Sequence, residues 1–200
     1  MNSPLPIEYI ERLNVSNVFV YVGDAVRQDY VADDIDSAGV SVSAIAASTH
    51  SSKSFASMAT GLYPPNHGVV SFGNKLPPDT PQFFDIETHD TRFLNSIFEY
   101  AEREFENKVD PIYTVLDTDP PDVDGPFDGI NDPFVVVERG PGGHAPYGEF
   151  NGGAGRYFLE EAGATPASIQ SDYERSIELD AALFFERLEE LKRRGLRDDT

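Results

Sequence analysis

Two segments of the sequence place a polar, chemistry-capable side chain after an apolar run. Asp24 follows the run Asn17–Val22, and a carboxylate delivered by a buried strand can reach a metal in the crevice above a sheet. His144 follows the run Phe134–Val137 and a glycine-rich loop. Each has a plainer interpretation, because a strand-end Asp commonly caps the next helix and a loop histidine is commonly structural.

A serine-rich segment stands at the start of a predicted helix. Ser51, Ser52 and Ser54 lie where free backbone N–H groups and the helix dipole favour an anion. A hydroxyl there could attack a phosphoryl or sulfuryl centre if a metal lowered its pKa, since serine is a weak nucleophile unaided. His50 and Lys53 could donate to the ester oxygens. The alternative is an N-cap serine in a polar turn.

The elements that must position these side chains follow from the apolar patterns. We predict strands at Asn17–Val22, Val40–Ala47, Ile112–Leu116 and Phe134–Val137, and helices at Ser54–Thr60, Arg92–Asn107 and Gln170–Arg194. The segment from Asp117 to Asp132 is rich in Asp, Pro and Gly, which predicts a loop or lid near the crevice. Strands that alternate with helices indicate a single α/β domain with a doubly wound, mostly parallel sheet.

The residue sequences of four segments resemble those of a known family. The segments, in chain order, are NVFVYVGDAVRQD (17–29), HSSKSFASMATGLYPPNHGV (50–69), DPFVVVERGPGGHAPYG (132–148) and YERSIELDAALFFERLEELKRRGLRDDT (173–200). Together they resemble the sulfatase family of the alkaline phosphatase superfamily. The resemblance implies an alkaline-phosphatase-like catalytic domain of which residues 1–200 form the N-terminal portion.

The resemblance also implies roles for individual residues. Asp24 falls on a metal ligand, Ser51 on the nucleophile and His144 on a contact to the charged oxygens of the ester. Asp180 and His67 match recurrent family residues, which we interpret as structural. The implied activity is that of a metal-dependent hydrolase of small-molecule sulfate or phosphate esters. An oxygen-rich site favours Ca²⁺ or Mg²⁺, whereas histidines from a missing half would favour Zn²⁺ or Mn²⁺.

The sequence departs from the family pattern in three places. Lys53 and Phe55 replace the Pro or Ala and the Arg that guide maturation of the nucleophile to formylglycine, so we expect Ser51 to stay an unmodified hydroxyl. That expectation favours phosphoester chemistry. Ala25 replaces the second acidic residue after the first strand. The remaining family ligands lie on a strand ending in Asp-His that would begin after Thr200, so we expect an incomplete C-terminal side, an incomplete metal site and an inactive chain.

The composition limits the environment and the partners. The chain has 35 acidic and 15 basic residues, a net charge of −20, and more Arg than Lys, which favours a halophilic source. The same charge argues against nucleic acid and anionic membranes as partners. Cysteine is absent, which excludes disulfides and a thiol nucleophile. The first residues lack a basic start and an apolar run, which predicts a cytoplasmic protein.

Two other functions are compatible with the same residues. A phosphotransferase or mutase would pass a phosphoryl group from Ser51 to another alcohol. A non-catalytic acidic relic or interaction protein would use its charge for hydration alone. A competing alcohol acceptor separates the first from a hydrolase, and stable folding without metal uptake would favour the second.

Overall fold

The computed structural model describes residues 16–37, 39–96, 110–147, 154–160 and 165–200. In these residues a three-stranded parallel sheet is formed by β1 (Val18–Gly23), β2 (Asp90–Asn95) and β3 (Phe134–Gly140) in the order β1-β3-β2. Val18 pairs with Val135 and Asp90 with Phe134. Every residue of β3 is buried, because it has a neighbouring strand on each side. The predicted strands at Asn17–Val22 and Phe134–Val137 are confirmed.

Helices surround this sheet. They are α1 (Asp33–Ser37), α2 (Ser51–Thr60), α3 (Pro64–His67), α4 (Pro111–Leu116), α5 (Ala154–Glu160) and α6 (Pro166–Arg193), with short 3-10 segments at Gln28–Tyr30, Phe83–Asp85 and Arg197–Asp199. The α/β prediction is therefore confirmed at the level of a parallel sheet with helices. No helix within the described ranges is long and apolar enough to cross a membrane.

The two faces of the sheet carry different helices, because side chains alternate along each strand. On one face Val137 of β3 packs in a core with Phe55 of α2 and Ile112 of α4. On the other face Val136 of β3 packs with Leu191 of α6. This arrangement places helices on both faces of the sheet.

Two predicted strands are absent from the structure. Residues 112–116 belong to helix α4, which starts with Pro111 and is capped by Asp110 accepting from Ile112 N at 2.7 Å. This Asp-Pro start outweighs the β-branched composition of the segment. The predicted strand Val40–Ala47 is neither helix nor strand, and Val40 and Ile45 are 93% and 99% exposed.

The predicted helix Arg92–Asn107 is wrong at its beginning. Residues 92–95 belong to β2, whose Phe93 and Leu94 are buried beside β3. Parallel pairing with a central strand overrides the helical spacing there. The remainder of that prediction, residues 97–107, lies outside the described residues.

The segment from Asp117 to Asp132 is a loop, as predicted, but its end lies away from the crevice. Asn131 N donates to Asp90 Oδ2 at 2.9 Å, which places the end of the loop beside the start of β2. Phe127 is fully buried against Phe134 at the start of β3. The carboxyl ends of the strands lie at the opposite edge, so these contacts do not support a lid over the crevice.

The longest helix, α6, confirms the predicted helix Gln170–Arg194 and begins four residues earlier. Thr165 and Ser168 form a capping box at its start, with Pro166 in the first turn. Lys192 and Arg193 occupy the last turn, where basic side chains complement the dipole. The buried side chains of α6 include two charged residues, Asp180 and Arg187.

Candidate functional site

Four polar side chains meet at the carboxyl edge of the sheet. Asp24 follows β1 directly, Arg139 is the penultimate residue of β3, and Ser51 and Asp110 stand at the starts of α2 and α4. Arg139 Nη2 lies 2.5 Å from Asp24 Oδ2, and Nη1 lies 3.0 Å from Asp110 Oδ2. This edge is where ligands bind in open α/β sheets.

The predicted nucleophile lies beside the predicted carboxylate. Both oxygens of Asp24 are 3.5 Å from Ser51 Oγ, as is Arg139 Nη2. These distances exceed the roughly 2.5 to 3.0 Å of a well-formed hydroxyl hydrogen bond, and catalytic contacts commonly tighten only when substrate is bound. Ser51 begins α2, so free N–H groups of the first turn lie close to its hydroxyl.

His50 and Lys53 flank Ser51 without contacting Asp24. His50 Nδ1 lies 2.8 Å from Ser52 Oγ, and its ring packs against Phe72 with centroids 4.7 Å apart. Lys53 is half-buried and forms no ion pair within the described part of the chain. A binding role for His50 and Lys53 stays a prediction.

The turn that carries His144 packs directly on the Asp24 turn. Gly143 N donates to Asp24 O at 2.8 Å, and the His144 side chain is exposed. Gly142 has a φ of +52°, and a Cβ at this position would overlap the backbone of Asp24. Only glycine combines this conformation with such a close approach. His144 is therefore held near the site by its backbone, and no described contact joins its ring to Ser51.

Helix α6 fixes both turns from the other face of the sheet. Asp180 accepts from Gly142 N at 2.9 Å and from the hydroxyl of Tyr21 at 2.7 Å. Tyr173 Oη accepts from Arg27 N at 2.8 Å and donates to Ala25 O at 3.0 Å. These bonds agree with a structural interpretation of Asp180.

Burial changes the ionisation of the supporting groups. Loss of solvent raises the pKa of Asp180, although the bonds from Gly142 and Tyr21 oppose that rise. The pKa of Tyr21 is also raised, by burial first and by the neighbouring Asp180 second. His67 is buried, lies 3.0 Å from Ser57 Oγ and has a pKa lowered by burial, which agrees with a structural role.

The donor set near Asp24 does not by itself fit a divalent cation. A guanidinium is bound to Asp24 Oδ2, and the same group binds a second carboxylate, that of Asp110. Among the described residues no group of three or more His, Asp or Glu side chains could hold a metal ion. Ca²⁺ and Mg²⁺ take six or more oxygen ligands. The divalent metal therefore stays a prediction.

Arg139 and Asp110 are the site residues that sequence reasoning missed. They are separated by 29 positions and meet only because β3 and α4 end at the same edge of the sheet. One signal was available, since the apolar run FVVV ends in the charged pair Glu138-Arg139. Two charges inside a buried strand require partners, and these are Arg187 for Glu138 and the two aspartates for Arg139.

Comparison with curated proteins identifies a relative from a halophile. The chain is 33% identical over 186 residues to the low-salt glycan biosynthesis sulfotransferase Agl7 of Haloferax volcanii. The match takes up 92% of this chain and 44% of the relative, so the chain spans less than half of that protein's length. No protein-family model matches the chain. No solved structure matches it either, so the alkaline-phosphatase-like form of the fold is unconfirmed.

This comparison corrects the predicted reaction. The relative is named as a sulfotransferase, which passes a sulfuryl group to an acceptor, whereas a sulfatase or other hydrolase passes it to water. The prediction of a metal-dependent hydrolase of sulfate or phosphate esters is therefore wrong, and so is the description of the chain as a sulfatase. The halophilic source of the relative is consistent with the habitat predicted from charge.

Proposed function

We propose that the chain carries the reactive serine of a glycan sulfotransferase built on an alkaline-phosphatase-like scaffold. The observation that carries this proposal is the 33% identity to a glycan biosynthesis sulfotransferase. A match over 92% of the chain is long enough that it must include the stretch from Asp24 to His144. The substrates in this proposal are a sulfate ester donor and a sugar hydroxyl acceptor.

The geometry supports Ser51 as the carrier of the sulfuryl group. Its hydroxyl lies 3.5 Å from both Asp24 oxygens, so Asp24 can take its proton as Oγ attacks. The start of α2 and the ammonium of Lys53 supply positive potential for the sulfonate oxygens. His50, which flanks Ser51, is a second donor to those oxygens in this proposal.

Transfer then proceeds in two balanced displacements. In the first, the Ser51 Oγ–S bond forms while the bond from sulfur to the donor oxygen breaks, the Ser51 proton moves to Asp24, and His144 gives a proton to the departing alcohol. In the second, the sugar hydroxyl attacks sulfur, the Oγ–S bond breaks, Asp24 returns its proton to Ser51, and His144 takes the proton of the sugar hydroxyl. Both residues end as they began.

The test measures sulfated glycan and free sulfate separately, in high salt, with the full-length gene product, an aryl sulfate donor and a glycan acceptor. We expect Ser51→Ala to lower transfer by about three orders of magnitude or more, as loss of a covalent nucleophile does. Ser54→Ala is the matched control, because Ser54 lies on the same helix and its hydroxyl donates to Ser48 O. Full transfer by Ser51→Ala, or release of free sulfate alone by the wild type, would refute the proposal.

A further inference from the structure

The most completely enclosed charge at the site belongs to Arg139. Its side chain is 4% exposed, and its guanidinium bridges Asp24 Oδ2 at 2.5 Å and Asp110 Oδ2 at 3.0 Å. The guanidinium also lies over the ring of Phe55, with its Cζ 5.5 Å from the ring centroid. Contacts to three elements leave this cation little freedom to reorient.

We propose that Arg139 is a positioning residue that holds the Asp24 carboxylate against the Ser51 hydroxyl. This inference rests on the proposed function, because it assigns a task within the same transfer reaction. Arg139 does not contact the substrate in this proposal. Arg139 Nη2 also lies 3.5 Å from Ser51 Oγ, but its short bond is to Asp24, whose orientation decides whether the proton of Ser51 has an acceptor.

Asp110 restricts the orientation of the Arg139 guanidinium. One Asp110 oxygen caps α4 by accepting from Ile112 N at 2.7 Å, and the other accepts from Arg139 Nη1. The first bond ties the Asp110 side chain to the helix. Because the side chain is only 6% exposed, it is also shielded from water. The chain of contacts therefore runs from the start of α4 through Asp110 and Arg139 to Asp24, and from Asp24 to Ser51.

The exposure of these groups favours a functional ion pair over a purely structural one. Asp24 retains 13% exposure, and Ser51 is half-buried, so the outer end of the cluster opens towards solvent and substrate. By contrast, the buried pair of Glu138 and Arg187 on the other face contacts no residue of the site in any described hydrogen bond, although both are charged and enclosed. That second pair provides the matched control.

The experiment compares Arg139→Lys with Arg187→Lys in the full-length gene product, measuring kcat, KM and the free energy of unfolding. Lysine keeps the charge but cannot hold two carboxylates with a planar fork. We expect Arg139→Lys to lower kcat about tenfold to a hundredfold with little change in KM, because a displacement near 1 Å can cost about that much. We expect Arg187→Lys to lose stability while its kcat stays within about twofold of the wild type.

The outcomes separate this inference from the proposed function. If Ser51→Ala abolishes transfer but Arg139→Lys keeps the wild-type kcat, the inference is refuted and the proposed function stands. A kcat that falls in parallel with stability in both lysine variants also refutes it. Should Arg139→Lys fail to fold, Asp110→Asn replaces it, since the amide preserves the shape and one acceptor. That variant must then lower kcat severalfold for the inference to survive.

Discussion

Asp180 on helix α6 accepts a hydrogen bond from Gly142 N at 2.9 Å, and this bond fixes the turn between β3 and His144. The carboxylate reaches the turn from the face of the sheet opposite α2. It also accepts from Tyr21 on β1, so a single side chain joins the ends of two neighbouring strands. The stability of the site edge consequently depends on the ionisation of a group outside the reaction itself.

The raised pKa of Asp180 predicts a pH dependence of stability. Between the unfolded pKa of about 3.9 and the raised folded pKa, the native state binds more protons than the unfolded state. The stabilisation is therefore complete below the unfolded pKa and is lost as pH rises through the folded pKa. We expect the difference in free energy of unfolding, wild type minus Asp180→Asn, to decrease across that window in urea titrations at several pH values. A difference that is flat, or that grows with pH, would contradict this assignment.

Gly142 and Gly129 form a matched pair for testing the close approach at the Asp24 turn. Both have a positive φ, but a Cβ at Gly142 would overlap Asp24 whereas a Cβ at Gly129 would meet nothing within 4 Å. We expect Gly129→Ala to cost about 1 to 2 kcal/mol, from the backbone conformation alone. Gly142→Ala should cost clearly more in urea unfolding, and it should also lower the proposed transfer activity in the sulfated-glycan assay. Equal costs in the two variants would show that the turn accommodates a side chain.

The ion pair of Glu138 and Arg187 predicts an asymmetric response to mutation. Glu138 is fully buried, and it accepts from Arg187 at 3.0 to 3.2 Å and from Ser96 Oγ at 2.6 Å. Arg187→Ala should lower the free energy of unfolding by about 3 to 5 kcal/mol, because it leaves a buried charge without its ionic partner. The double variant Glu138→Gln with Arg187→Met should be clearly more stable than that single variant. A single variant as stable as the double one would contradict the prediction.

The net charge of −20 predicts that stability rises with salt. Repulsion among like charges destabilises a compact state, and added salt screens it. We expect the thermal midpoint to rise as KCl increases from about 0.1 M to about 1 M, where the Debye length falls from about 10 Å to about 3 Å. The control variant replaces Glu174, Glu178, Glu186 and Glu189 on α6 with Gln, which changes the charge from −20 to −16. A salt response as steep in this variant as in the wild type would indicate a cause other than charge repulsion.

The sequence predicted those elements whose own pattern agrees with their surroundings in the fold. The buried strands β1 and β3 are apolar runs, and α6 combines helical spacing with a basic last turn. Strand β2 was missed because Asp-Thr-Arg-Phe-Leu-Asn has neither a continuous apolar run nor a clean alternation, and pairing with β3 decides its conformation. The segment at Val40 was predicted to be a strand from its partly alternating apolar composition. Composition does not show whether a partner strand is present, and Val40 is exposed in the structure.

The candidate site was predictable only in part. Asp24 could be identified because it follows a recognisable strand, whereas Ser51 was chosen from its serine-rich segment through the family resemblance. The structure does bring the two together. Their roles in transfer remain predictions. Arg139 was not identified, because a charged residue at the end of a strand acquires its partners from segments distant in the chain. The acceptor of the transferred group, water or an alcohol, could not be inferred from these residues, since both reactions begin with the same attack.

The central position of β3 determines when the sheet can form during synthesis of the chain. Asn17 at the foot of β1 and Phe134 at the start of β3 hydrogen-bond across 117 positions of sequence. A ribosome adding roughly 5 to 20 residues per second needs on the order of ten seconds to synthesise that interval. For an interval of that length the apolar run of β1 exists without β3, its pairing partner in the finished sheet. Factors that bind exposed apolar segments of nascent chains would therefore meet β1 before β3 is available to cover it.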